Sequence, residues 1–243
     1  KKRKKEGEEG KGVDDDVNDD DGSNNKLNSV KSQTSPPSSQ PTQSTNSSAT
    51  SPSPNFPYPV DENDHCESPT IAYTHITSLL KSVIPGNSNP TIYDPYYCDG
   101  SVKSNLNDLG FTKVEHEKVD CYSVWSTGAT PPHDVFVTNP PYSSDHVSRL
   151  MSHLCAGPGS GKPWFLLMPQ YVHKHEYYAS LTSTIRPFYI VPSKRYVYVP
   201  PKGFREGGRK SGVHKKNSPF VSMWFCWGGD EGRNRKLIEK AKR

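Results

Sequence analysis

An asparagine, two prolines and a tyrosine stand together at 139–142, directly after the apolar run VFV at 135–137. Proline cannot donate a hydrogen bond to a neighbouring strand, so it ends a strand and stiffens the loop that follows. Open α/β sheets bind their ligands at the carboxyl ends of their strands. A rigid loop that carries an amide and a phenol ring at such a place indicates a ligand-binding or catalytic site.

Further polar residues follow two earlier predicted strands. The segment TIYDPYY at 91–97 predicts a short buried strand that leaves at Asp94-Pro95, and the chain then turns towards Gly100. The segment TKVEHEKVDCY at 112–122 predicts the next strand, with acidic residues near its end. Both groups are expected at the same edge of a sheet as the 139–142 loop, because parallel strands place their carboxyl ends together.

Alternating helices and strands are predicted to position these loops. Apolar spacing predicts a helix in 68–84 capped by Ser68 with Pro69 at its first position, a helix in 101–111 ended by Gly110, and a helix in 143–155 capped by Ser143 or Ser144. The apolar segment 163–169 predicts a buried strand, and a short helix is expected in 173–183.

The last two predicted strands, in 188–201 and 219–227, have no helix between them. Two such strands predict an antiparallel β-hairpin. The whole pattern therefore predicts an α/β fold with an open, mostly parallel sheet and an antiparallel C-terminal edge.

Composition divides the 243 residues into three regions. Residues 1–68 contain a charged block that starts with KKRKK, then acidic and Ser/Pro-rich segments, and this composition predicts disorder. The KKRKK cluster fits a nuclear-import signal, an arm that binds nucleic acid, or a solvated tail with neither role. A folded domain is expected over 69–228, followed by a basic tail at 229–243.

Several classes of site and compartment are disfavoured. The five cysteines show no paired spacing, so neither a structural zinc site nor a disulfide framework is expected, and free thiols favour an intracellular location, in the nucleus or the cytoplasm. No apolar run is long enough to span a membrane. The segment GPGSGK at 157–162 is not a phosphate-binding loop, because Pro163 and a strand follow its lysine.

The NPPY sequence after an apolar strand resembles the class I S-adenosylmethionine-dependent methyltransferases that act on amino groups, which carry (D/N/S)PP(Y/F/W) at this place. The resemblance covers about 70–228. It implies a Rossmann-like sheet and S-adenosylmethionine as the cofactor.

The resemblance also implies roles for the four residues. An exocyclic amine on a base ring is a weak nucleophile, because its lone pair is delocalised into the ring. The side-chain oxygen of Asn139 and the backbone carbonyl of Pro140 would accept its two N–H groups, and Pro141 would help to hold them in place. Tyr142 would stack on the target base, and no general base would be needed before methyl transfer.

For the cofactor, the resemblance implies residues at the ends of the first two strands. Asp94 would meet the methionine amino group, beside Pro95 and Tyr96, and Gly100 would let the backbone approach the ligand. The sequence departs from the family where Cys98 replaces the first of two expected glycines. Glu115 or Glu117 would hold the ribose hydroxyls, and Asp120 with its neighbours Cys121 and Tyr122 would flank the cofactor's adenine.

The loop between the last two strands indicates the substrate. Residues 194–216 contain eight basic residues against Glu206 alone, which suits a polyanion. Tyr196 and Tyr198 alternate on one face and offer rings for stacking or for covering the sheet edge. The candidate nucleic-acid-binding residues are Lys194, Arg195, Lys202, Arg205, Arg209, Lys210, Lys215 and Lys216.

We therefore expect methyl transfer to an exocyclic amine of a nucleic-acid base, with adenine N6 first and with RNA or single-stranded DNA as the favoured partner. No metal and no membrane partner are expected, and the oligomeric state is open. Two alternatives remain. The protein could methylate a glutamine side-chain amide, which has the same geometry, or it could bind nucleic acid through the same scaffold without catalysis, as the departure at Cys98 would allow.

Overall fold

The structure is a computed structural model that describes residues 56–60, 64, 66–199 and 220–242. In these ranges helices and strands alternate along most of the chain. In order they are α1 (Thr70–Val83), β1 (Ile92–Tyr93), α2 (Ser101–Asp108), β2 (Val114–Glu115), α3 (Cys121–Ser126), β3 (Val135–Thr138), α4 (His146–Cys155), β4 (Trp164–Pro169), a 3-10 helix (Gln170–Lys174), α5 (Glu176–Leu181), β5 (Phe188–Ile190), β6 (Ser222–Trp227) and α6 (Glu231–Ala241).

The strands of the described ranges form one mixed sheet in the order β2-β1-β3-β4-β6-β5. Strand β1 pairs in parallel with β2 and β3, and β3 pairs in parallel with β4. Strand β6 is antiparallel to both β4 and β5. The predicted α/β class and the antiparallel edge formed by the last two strands are thus confirmed.

The sheet has a topological switch point at β1. The chain leaves β1 to add β2 on one side and later returns to add β3 on the other side. The connections that leave β1 and β3 therefore diverge at their carboxyl ends, and such a divergence opens the crevice in which α/β sheets bind ligands. This topology brings the loop after Tyr93 next to the loop after Thr138.

Helices cover both faces of the sheet. Every residue of β4 and β6 is buried, and β4 alternates between two apolar clusters. Its residues Phe165 and Leu167 pack with α1, α2 and α6, whereas Trp164, Leu166 and Met168 pack with α4 and α5. This period of two is the side-chain alternation of a strand that is buried on both faces. None of the helices in the described ranges is long and apolar enough to cross a membrane.

The C-terminal segment that was predicted as a basic tail differs from that expectation. Residues Glu231–Ala241 form α6, whose Leu237 is buried in the core beside α1. The buried side chain of Asn234 accepts a hydrogen bond from the backbone N–H of Gly228 (3.0 Å) and donates one to the carbonyl of Arg186 (2.7 Å). One apolar residue and one amide are enough to dock a helix that otherwise looks solvated.

Part of the segment that was predicted to be disordered packs on the fold. Phe56, Glu67 and Ser68 are buried, and the backbone of Glu67 bridges Val199. The expectation of disorder for residues 1–55 lies outside the described residues. The fold thus extends to the N-terminal side of residue 69.

Two predicted helix caps were wrong, and one helix was not predicted. The cap of α1 is Pro69 rather than Ser68, without a side-chain hydrogen bond. The cap of α4 is Asp145 rather than Ser143 or Ser144, and no side chain caps the helix by a hydrogen bond. The segment Cys121–Ser126 forms a helix that the sequence analysis did not predict, because six residues show no amphipathic period.

Candidate active site

A cleft opens at the carboxyl ends of β1 and β3, at the switch point of the sheet. Its empty volume is about 980 Å³, part of which is open solvent. Four stretches of chain line it: residues of the N-terminal segment between 58 and 66, the loop at 95–98, the start of α3 at 119–122, and residues between 139 and 149.

Half of the residues predicted for catalysis and cofactor binding line this cleft. The predicted residues that line the cleft are Pro95, Tyr96, Cys98, Asp120, Asn139 and Pro141. The structure thus brings the loop after β1 and the loop after β3 to one cavity. The predicted residues that do not line the cleft are Asp94, Gly100, Glu115, Glu117, Pro140 and Tyr142.

Asp94 joins two strands instead of facing the cleft. Its side chain is buried, and its Oδ1 accepts hydrogen bonds from the Thr138 hydroxyl (2.5 Å) and from the backbone N–H of Tyr96 (3.1 Å). Burial raises the pKa of Asp94 to about 6, although nearby His116 and the two hydrogen bonds oppose the shift. Asp94 therefore lies at the junction of β1 and β3. The resemblance had assigned this acid to the cofactor's amino group.

Glu115 and Glu117 do not line the cleft. One of them was expected to hold the ribose of the cofactor there. Glu115 belongs to β2, and its backbone carbonyl accepts from Asp94 N–H (3.0 Å). Glu117 is exposed and pairs with Lys103 (2.7 Å), whose hydrogen bond lowers the pKa of Glu117. Neither carboxylate lines the cavity.

Asp120 is the acid that reaches the cleft from this side of the sheet. It caps α3, because its carboxylate accepts from the backbone N–H of Tyr122 (3.1 Å) and from the Ser123 hydroxyl (2.6 Å). The cap fixes the carboxylate at the mouth of the cavity.

Cys98 and Gly100 shape the loop between β1 and α2. Cys98 is half-buried in the cleft wall, and burial raises the pKa of its thiol, so the side chain stays neutral. Gly100 has φ +85°, and a Cβ there would lie 2.5 Å from the Tyr97 hydroxyl. The glycine is therefore required by the turn.

Asn139 is held by Tyr142. The Tyr142 hydroxyl donates to Asn139 Oδ1, and it lies 3.0 Å from the carbonyl oxygen of Leu167 and 3.3 Å from the Tyr198 hydroxyl. Burial raises the pKa of Tyr142 well above its ordinary value, so the phenol remains a donor. This contact fixes the side-chain oxygen of Asn139 beside the cleft. Pro140 is buried next to it.

The ring of Tyr142 faces a second cavity, which we call the aromatic groove. Its lining contains several rings and two serines: Tyr142, Ser144, Val147, Ser148, Pro169, Tyr171, Val172, His175 and Tyr177. Tyr142 thus forms the boundary of the groove and, through its hydroxyl, contacts the amide that lines the cleft.

Two cleft residues of α4, His146 and Arg149, were not found from the sequence, and they pack beside the predicted tyrosines. The hydroxyls of Tyr96 and Tyr122 lie 3.1 Å apart, and the Tyr122 hydroxyl lies 2.5 Å from His146 Nδ1. The Arg149 guanidinium is 3.4 Å from the centroid of the Tyr122 ring. The spacing of His146 and Arg149, three apart on α4, was the signal that could have placed them on one face.

The N-terminal segment supplies another wall that was not predicted. Tyr58, Asp64 and Cys66 line the cleft, and burial raises the pKa of Tyr58 to about 12. The Ser143 hydroxyl donates to Asp64, which ties this segment to the loop after β3. No local pattern in the Ser/Pro-rich sequence indicated this packing.

Glu67 fastens the N-terminal segment to the loop after β1. Its buried carboxylate accepts from the backbone N–H of Asp99 (2.5 Å) and from the Ser101 hydroxyl. Its backbone pairs with Val199 in both directions (2.8 and 3.1 Å). Glu67 thereby connects the loop that lines the cleft to the chain that enters the basic segment.

Of the predicted nucleic-acid-binding residues, Lys194 and Arg195 are described and exposed. The other six, Lys202, Arg205, Arg209, Lys210, Lys215 and Lys216, lie outside the described residues. Tyr196 is not available for stacking, because it is buried and bonds His75 Nδ1 through its hydroxyl (2.7 Å). Tyr198 is half-buried beside Tyr142.

Among the residues that the structure describes, no group of three or more His, Cys, Asp or Glu side chains could hold a metal ion. Comparison of the chain with known protein families, curated proteins and solved structures finds no match. The case for a function therefore depends on the geometry of the cleft and the groove.

Proposed function

We propose that this chain is an S-adenosylmethionine-dependent methyltransferase with a Rossmann-like class I fold, and that it methylates an exocyclic amine of a nucleic-acid base, adenine N6 first. One observation carries the proposal. The loop after β1 and the amide of Asn139 line the same cleft, at the topological switch point of the sheet. A cofactor loop and an amine acceptor must be adjacent for transfer to occur.

The residues of the cleft fit the proposed cofactor. Two carboxylates, Asp64 and Asp120, and the rings of Tyr96 and Tyr122 line a cavity that suits a cation. Arg149 supplies a positive charge for a carboxylate. We assign the cofactor to Asp120, Tyr96, Tyr122 and the loop at 95–98. Bound there, it would supply an electrophilic methyl group.

The chain's own contribution is to activate and aim the amine. Asn139 Oδ1 and the Pro140 carbonyl would accept the two N–H groups of the target, which draws the nitrogen lone pair out of the ring. The hydroxyl of Tyr142 keeps the amide from rotating, so the acceptors need no reorganisation during the reaction. The nitrogen would bond to the methyl carbon as the bond between that carbon and the sulfonium sulfur breaks, the sulfur keeping the electron pair and leaving as the thioether S-adenosylhomocysteine, and the nitrogen would afterwards release one proton to water.

The competing proposal is a nucleic-acid-binding protein without transfer. It is favoured by Cys98, which puts a side chain in the cleft wall where the family has glycine. Calorimetric titration with S-adenosylmethionine distinguishes the two proposals. Heat of binding that saturates in the micromolar range supports the methyltransferase, and absence of heat at high micromolar cofactor supports the binding protein.

Transfer of a radioactive methyl group to separate RNA, DNA and protein fractions tests the substrate. We expect label in nucleic acid, and digestion to nucleosides should place it on adenosine. Label confined to protein would favour a glutamine amide and would reject the nucleic-acid substrate.

A further inference from the structure

The aromatic groove is a second cavity that the proposed reaction does not use beyond Tyr142. It lies at the carboxyl ends of β3 and β4, and its empty volume is about 630 Å³, open solvent included. The 3-10 helix after β4 and the start of α5 supply its rings, Tyr171, His175 and Tyr177. Tyr142, which lines the groove, contacts the cleft residue Asn139 through its hydroxyl.

The rings in and beside the groove pack in two ways, one pair stacked and the others edge to face. His175 stacks on Tyr177, with centroids 5.2 Å apart and planes inclined by 16°, and Tyr171 meets His175 edge to face at 81°. Phe220 meets both Tyr142 (72°) and Tyr171 (90°). Tyr171 is 41% exposed, so ring surface is open to a ligand.

The lining favours a flat, neutral ligand. None of the nine lining residues carries a carboxylate, whereas an aromatic site for a cation gains its affinity from negative charge as well as from rings. The hydroxyls of Ser144 and Ser148 offer hydrogen bonds at the edge of the groove. A nucleobase, with two π faces and a polar edge, matches this combination.

The surroundings favour a base that belongs to a polyanion. The 3-10 helix that carries Tyr171 also carries Lys174, and Lys194 and Arg195 are exposed on the chain after β5. These cations suit phosphates, while the rings suit bases.

We propose, on the basis of the proposed function, that the aromatic groove stacks the base adjacent to the target nucleotide in a single-stranded nucleic acid. Tyr142 contacts the amide that would accept the target amine, so a base in the groove is a direct neighbour of the target. A paired duplex keeps its bases stacked on one another and offers none to the groove. Single-stranded RNA or DNA would therefore be preferred over duplex.

The test uses Tyr171 with two comparison variants. Tyr171→Ala removes the ring, Tyr171→Phe keeps it, and Tyr189→Ala removes an equally exposed tyrosine (41%) of β5 that does not line the groove. Fluorescence anisotropy would measure the Kd for one adenine-containing sequence, prepared as single-stranded RNA and as single-stranded DNA. Methyl transfer would give KM for the same oligonucleotides and for adenosine monophosphate. Thermal unfolding would verify that each variant is folded.

We expect Tyr171→Ala to raise Kd and KM for the oligonucleotides about tenfold, in line with the loss of one base stack. The effect should be larger for the oligonucleotides than for the mononucleotide, and Tyr171→Phe should restore the wild-type affinity. The polymer with the lower Kd is identified as the source of the base.

Equal affinities of the Tyr171→Ala and Tyr189→Ala variants, or failure of the wild-type protein to bind either single strand, would overturn the groove proposal. Binding that depends on the Tyr171 ring without any methyl transfer would instead leave the groove proposal intact and contradict the proposed function.

Discussion

The cleft and the aromatic groove lie on either side of the contact between Asn139 and Tyr142, and they are built in opposite ways. In the cleft, the phenols of Tyr96 and Tyr122 are hydrogen-bonded to each other, and carboxylates line the wall. In the groove, Tyr171 is partly exposed and no lining residue carries a carboxylate. The first cavity suits a charged ligand with several polar groups, whereas the second suits a flat neutral ring.

The difference indicates how one protein could bind two different ligands, each in its own cavity. A charged, polar ligand is bound most strongly where fixed charges complement it, and a base is bound most strongly by ring surface. The amide of Asn139 lies where the two environments meet. Variants of cleft residues should therefore affect cofactor binding, whereas variants of groove residues should affect binding of the nucleic acid.

The largest effect is expected at Asn139, between the cleft and the aromatic groove. Replacement Asn139→Ala removes the acceptor for the target amine, and the transfer rate should fall by about 100-fold or more. Cofactor affinity, measured by calorimetry, should change by no more than about twofold, since Asn139 acts on the amine rather than on the cofactor. Asn107→Ala, at an exposed asparagine of α2, is the matched control. Equal loss of cofactor binding and transfer would make Asn139 a structural residue.

The second prediction concerns Asp94, the buried acid at the junction of β1 and β3. Because burial raises the pKa of Asp94 from 3.8 to about 6, the native state holds this proton more tightly than the unfolded chain. The free energy of unfolding should therefore fall as pH rises through this window, by about 2–3 kcal/mol in total.

Asp94→Asn tests this directly by urea unfolding at several pH values. The asparagine oxygen can keep the bonds from Thr138 and Tyr96, so the variant should fold and lose the slope between pH 4 and 6. The exposed Asp108 of α2 provides the control variant Asp108→Asn. If Asp94→Asn instead abolishes cofactor binding at constant stability, Asp94 belongs to the cofactor site after all.

The third prediction concerns Glu67 and the affinity of the cleft for the cofactor. Glu67→Ala leaves the N–H of Asp99 and the hydroxyl of Ser101 without their acceptor. Hydrogen bonds to a charged group contribute about 1.5–3 kcal/mol, so we expect cofactor Kd to rise about tenfold. Glu67→Gln keeps one acceptor oxygen and should recover most of the affinity. A matching loss in both variants, together with a lower Tm, would indicate a role in folding alone.

The smallest effect is expected on the substrate side. Lys194→Glu with Arg195→Glu places two negative charges on the exposed chain after β5. If each residue contacts one phosphate, the slope of log K against log salt should become shallower by about 1–2, since single strands give about 0.7 per contact. Titrations of a single-stranded oligonucleotide at several salt concentrations measure this slope. An unchanged slope would assign phosphate binding to other residues.

The sheet could be predicted from the sequence because its strands carry strong local signals. The apolar segment at β4 and the prolines after β3 allow few alternatives, and the antiparallel edge was predicted because the sequence shows no helical pattern between the last two predicted strands. The loops at 95–98 and 139–142 met at one cleft because the carboxyl ends of parallel strands share an edge.

The direction in which a side chain points could not be predicted from these local patterns. Asp94 follows a strand as a ligand-binding acid would, but it faces Thr138 of β3, and sequence spacing does not distinguish these directions. Glu67 and Tyr58 depend on contacts with residues far along the chain, such as Val199. Composition had assigned them to disorder, since tertiary contacts of this kind leave no local pattern.

The central claim is that Asn139 presents a base amine to a methyl donor held in the cleft. Mass spectrometry of nucleosides, after incubation of the full chain with methyl-deuterated S-adenosylmethionine and single-stranded RNA or DNA, tests it most directly. The account predicts labelled N6-methyladenosine, or its deoxy form, with the wild-type protein and none with Asn139→Ala. Unlabelled nucleosides throughout, or equal labelling by both proteins, would contradict it.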